Sequence, residues 1–402
     1  MRFLKQYYTN NELPIIVVFI ATIIMSIWGR SEQGPQVEKL FIAVSMWYAI
    51  FKIKRINIIR AKNQTPQHIY ILYLFLLISG IIQTIRSAIW GNTYGNGNLY
   101  FTLFGNEYTA LLMAAPLFYY LSFTERPLLL LKRFSFYFAC WCMILTITGI
   151  NFYSPVNIIL LSIFIFYPYY SKKKRIIYLI LIPFTIKFGL DGMRSFLILL
   201  TFGIISLLLS RWKKLSTIFC FGILFITIGT IIYSIQTKES PFTHMSKYSN
   251  KQNMVQDTRT FLYTELAEDL TETNSWLFGK GAYSGYYSEY FSKSYNLIKG
   301  KTTGRLTNEV TFLTYLLRAG IIYLIVFNII IILAIINILR KSKNEMMHRI
   351  AISLTGFFFN GYIGDMLGCN FFHLTIWIMI GLAFQNKYLT MNNNNIKHLL
   401  CE

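Results

Sequence analysis

Arginines stand at three places where an otherwise apolar chain rarely keeps charge. In "FGLDGMRSFLILL", residues 188–200, Asp191 and Arg194 lie three residues apart between apolar runs. A guanidinium is a planar fork that binds phosphate and pyrophosphate through several hydrogen bonds and never loses its charge. Such a charge costs free energy unless it snorkels to the headgroups or meets a partner. Arg194 therefore reads either as a snorkelling or Asp191-paired arginine, or as an anion ligand facing a cavity. Further on, "GRLTNEVTFLTYLLRAG" (304–320) carries Arg305, Glu309 and Arg318. A helix starting near Arg305 places Arg305, Glu309, Phe312, Leu316 and Gly320 on one face, with Arg318 pointing elsewhere. Glu309 then either complements the helix dipole and pairs with Arg305, or serves as a general base in a partly dry site. Between these stretches, Arg259 opens "RTFLYTELAEDLTE", near the end of an apolar stripe.

The elements that must position these groups are set by composition. Of 402 residues 54% are hydrophobic and only 14% charged, against about 25% charged in soluble domains. Mean hydropathy is +0.46, and the pattern specifies an all-α polytopic membrane protein. Runs near 13–29, 37–51, 68–90, 107–123, 134–150, 155–170, 176–190, 194–210, 216–236, 309–339, 349–364 and 368–386 predict about twelve helices. The final pair is short for two crossings and is equally readable as a re-entrant hairpin. The organisation is a transmembrane region over 1–236, a large loop over 237–308, a second transmembrane region over 309–386, and a cytoplasmic tail over 387–402 whose polar "NNNNIKH" is read as disordered.

The net charge of +21 is distributed as topology signals and not as a nucleic-acid surface. Clusters at Lys52–Lys62, Arg126–Arg133, Lys172–Arg175, Arg211–Lys214 and Arg340–Arg349 alternate with loops nearly free of Lys and Arg. The alternation puts both termini in the cytoplasm and the long loop outside it. Five cysteines lack metal-ligand spacing, and neither a metal nor a cofactor is called for.

A connection of some seventy residues is long enough to expect function in it. Within it Leu262, Leu266 and Leu270 recur at every fourth position, predicting an amphipathic helix over 257–272 with Glu265, Glu268, Asp269 and Glu272 on the other face. After it, Gly279, Gly281 and Gly285 stand among aromatics in "NSWLFGKGAYSGYYSEY", suited to a tight backbone loop near a ligand. The loop tyrosines suit either stacking on sugar rings or an interfacial aromatic belt. Arg86, near the outer end of the third run, reads as snorkelling or cavity-lining, and His373 as a core or cavity residue.

Taken in order, "GLDGMRSFLILLTFGIISLLLSR", the loop with "DTR" and "SWLFGKGAYSGYY", and "NEVTFLTYLLRAGIIYLIVF" resemble the O-antigen polymerase and O-antigen ligase superfamily of bacterial inner membranes. The match covers about 185–340. Related ligases carry a His-Asn pair where this chain has Asn308 and Glu309, a departure that favours a polymerase. The resemblance implies a GT-C-like fold and an inverting, metal-independent glycosyltransferase at the periplasmic face of the inner membrane. That enzyme moves a growing glycan from polyprenyl (undecaprenyl) pyrophosphate onto a sugar hydroxyl of another lipid-linked repeat unit. In that scheme Arg194, Arg259 and Arg305 bind pyrophosphate, Glu309 is the general base, and Asp191, Arg86, Arg318 and His373 are candidate cavity residues. Partners would be the lipid-linked donor and acceptor, membrane lipids, a chain-length regulator and a flippase, with no nucleic acid. The rival readings are a ligase-type transfer to a different acceptor and a lipid-linked oligosaccharide flippase.

Overall fold

The computed structural model describes residues 13–28, 44, 47–48, 50–90, 111–124, 126–147, 164–190, 194–237, 260–288, 308, 310–364 and 371–401. Among them the secondary structure is helical, without strands. In chain order these are α1 (Leu13–Trp28), α2 (Arg55–Gln64), α3 (Gln67–Trp90), a 3-10 helix (Ala115–Phe123), α4 (Pro127–Ile147), a short 3-10 helix (Tyr167–Tyr169), α5 (Lys172–Leu190), α6 (Arg194–Leu209) and α7 (Lys213–Thr237). Then come α8 (Thr260–Glu272), α9 (Thr311–Lys341), α10 (Glu345–Gly361), α11 (Phe371–Leu382), α12 (Asn386–Thr390) and α13 (Asn393–Cys401).

Gln67–Ile89, Lys213–Tyr233 and Thr311–Lys341 are long and apolar enough to cross a membrane, and the runs Leu111–Phe123, Leu197–Leu209 and His373–Leu382 are shorter apolar helices. These apolar helices mark a membrane-embedded helical protein. Helix α3 shows how it meets lipid. Ile71, Phe75, Ile78, Ile82, Ile85 and Ile89 are all exposed and recur every three or four residues, forming one apolar stripe along the whole helix. Helix α10 is the opposite case, buried on nearly every side between α6, α7 and α9. Small residues let its neighbours approach, since a Cβ at Gly356 would lie 2.8 Å from the Phe202 ring and one at Gly361 2.6 Å from Phe312.

The expected tenth span, 309–339, does not run straight. Gly320 has φ 79° and ψ 178°, values outside the helical region, and divides α9 into two limbs. Phe312 and Phe327 are fifteen residues apart, about 22 Å along a straight helix, yet their ring centroids are 6.1 Å apart, and those of Tyr315 and Phe327 are 5.1 Å apart. The first limb therefore folds back along the second. Residues 321–341 still extend about 31 Å, enough to cross a hydrocarbon core.

The basic clusters meet at one end of the bundle. Arg60 donates to the Phe123 carbonyl, and the Tyr170 hydroxyl donates to the carbonyl of Lys132. Lys213 donates to the Arg340 carbonyl, Arg349 donates to Ser210 Oγ, and the Arg349 guanidinium lies over the Tyr169 ring. Charge alternation along the sequence thus becomes charge segregation in space. The tail expected to be disordered folds here. Asn392 Oδ1 accepts from the Asn395 amide to start α13, Ile396 and Leu400 are buried, and Lys132 Nζ donates to the Leu400 carbonyl at 2.5 Å. Its Ile396, Leu399 and Leu400 form an apolar stripe that the asparagine run conceals in the sequence.

Candidate functional site

The opposite end carries the start of α6 at Arg194 and the buried Arg318. Helix α6 begins at Arg194 and runs antiparallel to α10, since Ser210 meets His348 and Arg349 at the basic end while Phe202 packs on Phe359 and Gly356. Continuing that register brings the start of α6 opposite the turn that follows α10. The same turn receives the start of α9, where the Thr311 amide and hydroxyl both donate to the Gly364 carbonyl, at 3.1 and 3.2 Å. It also receives α8, because the Tyr263 hydroxyl donates to the Tyr362 carbonyl. Two distant segments, opening at Thr260 and Thr311, therefore meet at residues 362–364, and the register of α6 on α10 directs the start of α6 toward the same turn.

Polar side chains are buried in this neighbourhood. Asn308, directly before Glu309 in the chain, accepts the Val310 amide at 3.0 Å on Oδ1, while its Nδ2 has no hydrogen-bond partner. Asn360, in the last turn of α10, is fully buried with neither amide atom bonded. Asn328 Nδ2 donates to the Tyr362 hydroxyl at 2.5 Å, leaving Oδ1 without a partner. A buried polar atom left unbonded costs about 1–3 kcal/mol, so amides in this state are held by the packing around them. Sequence reading passed over Asn328 and Asn360; the only signal was an amide inside an apolar helical run, which marks a residue that must find a polar environment.

The loop after α8 locks the tip of the folded-back α9. Leu262, Leu266 and Leu270 are buried as the periodicity predicts, and α8 spans Thr260–Glu272. Its acidic face is not wholly solvated. Asp269 is buried and pairs with Lys280 at 2.7 Å while accepting from the Tyr287 amide, and Ser288 donates to Glu265 at 2.5 Å. The loop amides of Lys280 and Gly281 donate to the carbonyls of Leu317 and Arg318, and the Ile321 amide donates to the Trp276 carbonyl. These bonds occupy carbonyls that a helix end otherwise leaves open. The glycines allow the approach: a Cβ at Gly279 would sit 2.5 Å from the Arg318 carbonyl carbon, and one at Gly320 2.2 Å from the Leu277 oxygen. The tight loop expected at Gly279 and Gly281 thus closes on the protein's own backbone.

Arg318, at the tip, is buried and donates to the Ala282 carbonyl at 3.1 Å. Arg86 donates to the carbonyls of Gly279 at 2.8 Å and Phe278 at 3.4 Å. Both arginines hold loop backbone. His373 lies buried in α11. Asp191, Arg259, Arg305 and Glu309 fall outside the described residues, as does the side chain of Arg194. Among the described residues no group of His, Cys, Asp or Glu is placed to hold a metal ion.

No family model, curated protein or solved structure matches the chain.

Proposed function

We propose that this chain is a membrane glycosyltransferase that polymerises lipid-linked glycan repeat units, with its site at the end of the bundle opposite the basic clusters. The observation that carries the reading is that the segments opening at Thr260 and Thr311 meet at residues 362–364, the turn toward which the α6–α10 register directs the segment opening at Arg194. These are the segments that the sequence resemblance selects, although they lie far apart in the chain. In this reading Arg194 and Arg259 stabilise the charge that develops on a departing pyrophosphate. Arg305 assists them, and Glu309 takes the proton of the attacking sugar hydroxyl. Fixed guanidiniums in a poorly hydrated site need little reorganisation as that charge appears, which favours the transition state over the ground state.

The bond formed joins the acceptor oxygen to the anomeric carbon, the bond broken joins that carbon to the pyrophosphate oxygen, and the proton passes to Glu309. The test is to incubate purified protein with a synthetic polyprenyl-pyrophosphate repeat unit and to size the products. A ladder supports polymerisation, whereas unchanged starting material overturns it. Arg194→Ala and Arg259→Ala should each reduce chain growth at least 100-fold with normal protein levels, in line with about 3 kcal/mol of lost transition-state stabilisation. Wild-type chain lengths in both would remove the arginines from the mechanism.

A further inference from the structure

We infer that the tripeptide Trp276-Leu277-Phe278 is a lipid-inserted wedge, seated among the acyl chains of the leaflet at the non-basic end of the bundle. This inference rests on the membrane-embedded fold alone and not on the glycosyltransferase reading. The three side chains are 37%, 56% and 60% exposed, in a loop that sequence reading places outside the membrane. Three consecutive large apolar residues turned outward form the kind of patch that marks a partner or a membrane.

Depth identifies the partner. The Ala282 amide donates to the Gln83 carbonyl, the Tyr283 amide donates to Ser87 Oγ, and Arg86 holds the Phe278 and Gly279 carbonyls. The loop therefore sits beside residues 83–87 of α3. The exposed apolar stripe of that helix continues past this level to Ile89, which is 68% exposed. A loop alongside residues 83–87 lies within the height of a lipid-facing surface, not above it. On the other side the Trp276 carbonyl accepts from the Ile321 amide at 2.9 Å, and α9 continues below with Ile325 and Ile329 exposed. The wedge thus stands at the height of the exposed apolar stripes of two helices. A second copy of this chain would need a complementary face; a leaflet needs only apolar area at the right height.

The polar groups fit the same placement. Backbone carbonyls carried into hydrocarbon need donors from the protein, and Arg86 and the Ile321 amide supply them here. The remaining Arg86 donors can reach toward the phosphate level by snorkelling. The Trp276 indole Nε1 donates to Thr271 Oγ1 at 3.0 Å, leaving its ring for the apolar boundary where tryptophan is enriched.

The experiment places an environment-sensitive fluorescent amino acid at 277 in the full chain and reconstitutes it in nanodiscs. Matched proteins carry the probe at Phe278 and at Glu272, an exposed position at the end of α8. With phospholipids brominated along their acyl chains, emission at 277 and 278 should fall at least twofold while aqueous iodide has little effect. The probe at 272 should behave in the reverse way. Quenching of 277 and 278 by iodide but not by brominated lipid would overturn the inference and return the loop to water. Insensitivity to both quenchers would also overturn it, assigning the patch to a protein partner or a second copy.

Discussion

The two ends of the bundle differ in how their chain segments are fastened. At the basic end side chains tie helix ends together, although Asn57 Oδ1, His348 Nε2 and Arg349 Nη1 are buried without a partner. Asn344 caps α10 by accepting the Met347 amide at 3.0 Å, and its Nδ2 donates to the carbonyls of Tyr388 and Met391. Arg349 bonds Glu345 and Ser210, and Lys132 holds the end of α13. At the other end Asn308 and Asn360 are buried with amide atoms unbonded, the half-buried Asn328 leaves Oδ1 unbonded, and the loop closes through glycines in backbone conformations other residues rarely adopt. Unpaired polarity occurs at both ends, so what sets the non-basic end apart is its backbone, with positive φ at Gly279, Gly281 and Gly320, the kind of conformation that proteins keep where a segment must be shaped in advance.

Breaking the glycine lock is the strongest test of that contrast. Gly320→Ala introduces a Cβ 2.2 Å from the Leu277 oxygen at φ 79°. Strain and overpacking together should cost about 4 kcal/mol. Thermal unfolding in detergent, read by the loss of monodisperse protein, should show a large drop; an unchanged midpoint would mean that α9 does not need its sharp return.

Next in size is the buried ion pair of the loop. Lys280→Met leaves Asp269 in place without its cation, and an uncompensated buried charge costs about 3 kcal/mol. Limited proteolysis should cut between α8 and α9 before the bundle unfolds, and the double variant Asp269→Leu, Lys280→Met should recover part of the loss. Equal cleavage in the single and double variants would show that the pair does not hold the loop.

How much of this was legible in the sequence depends on the kind of signal. The Leu262, Leu266 and Leu270 stripe and the start of α6 at Arg194 could be read because periodicity and a charge at an apolar boundary are local features. The fold-back of α9 could not, since a single glycine in an apolar run specifies neither a bend nor its angle. It is the receiving loop, some forty residues earlier, that makes the positive φ at Gly320 tolerable. The burial of Asp269 could not be read either, because helical position gives the face of a residue and not what the next loop lays over that face. The tail was misread for a similar reason: four asparagines dominate its composition, while three apolar residues determine how it packs. For the site, the sequence marks where charge is costly and that the chain breaks after 364, but not that the Tyr362–Gly364 turn receives distant segments.

The basic end should respond more mildly. Asn344→Ala removes an N-cap and the two bonds that fasten the chain after α11, for about 1–2 kcal/mol. The readout is an increase in hydrogen exchange confined to the first turn of α10 and to residues 386–401. Exchange spreading instead to the loop at 275–288 would indicate that the two ends are coupled and would undo the contrast drawn between them.

The smallest expected effect discriminates most cleanly, because it runs in the other direction. Gly222 lies within α7, and a Cβ built there meets nothing within 4 Å. Gly222→Ala removes the conformational freedom that glycine gives the unfolded chain and creates no contact that must give way, so it should stabilise by about 0.5–1 kcal/mol. The identical chemical change thus has opposite signs at 222 and 320, and the measurement is the pair of melting midpoints in the same detergent. If both substitutions lower the midpoint, Gly222 must meet a packing partner on its exposed face in the folded protein. If both are neutral, glycine identity would not matter at either position, and the non-basic end would lose the strain that distinguishes it.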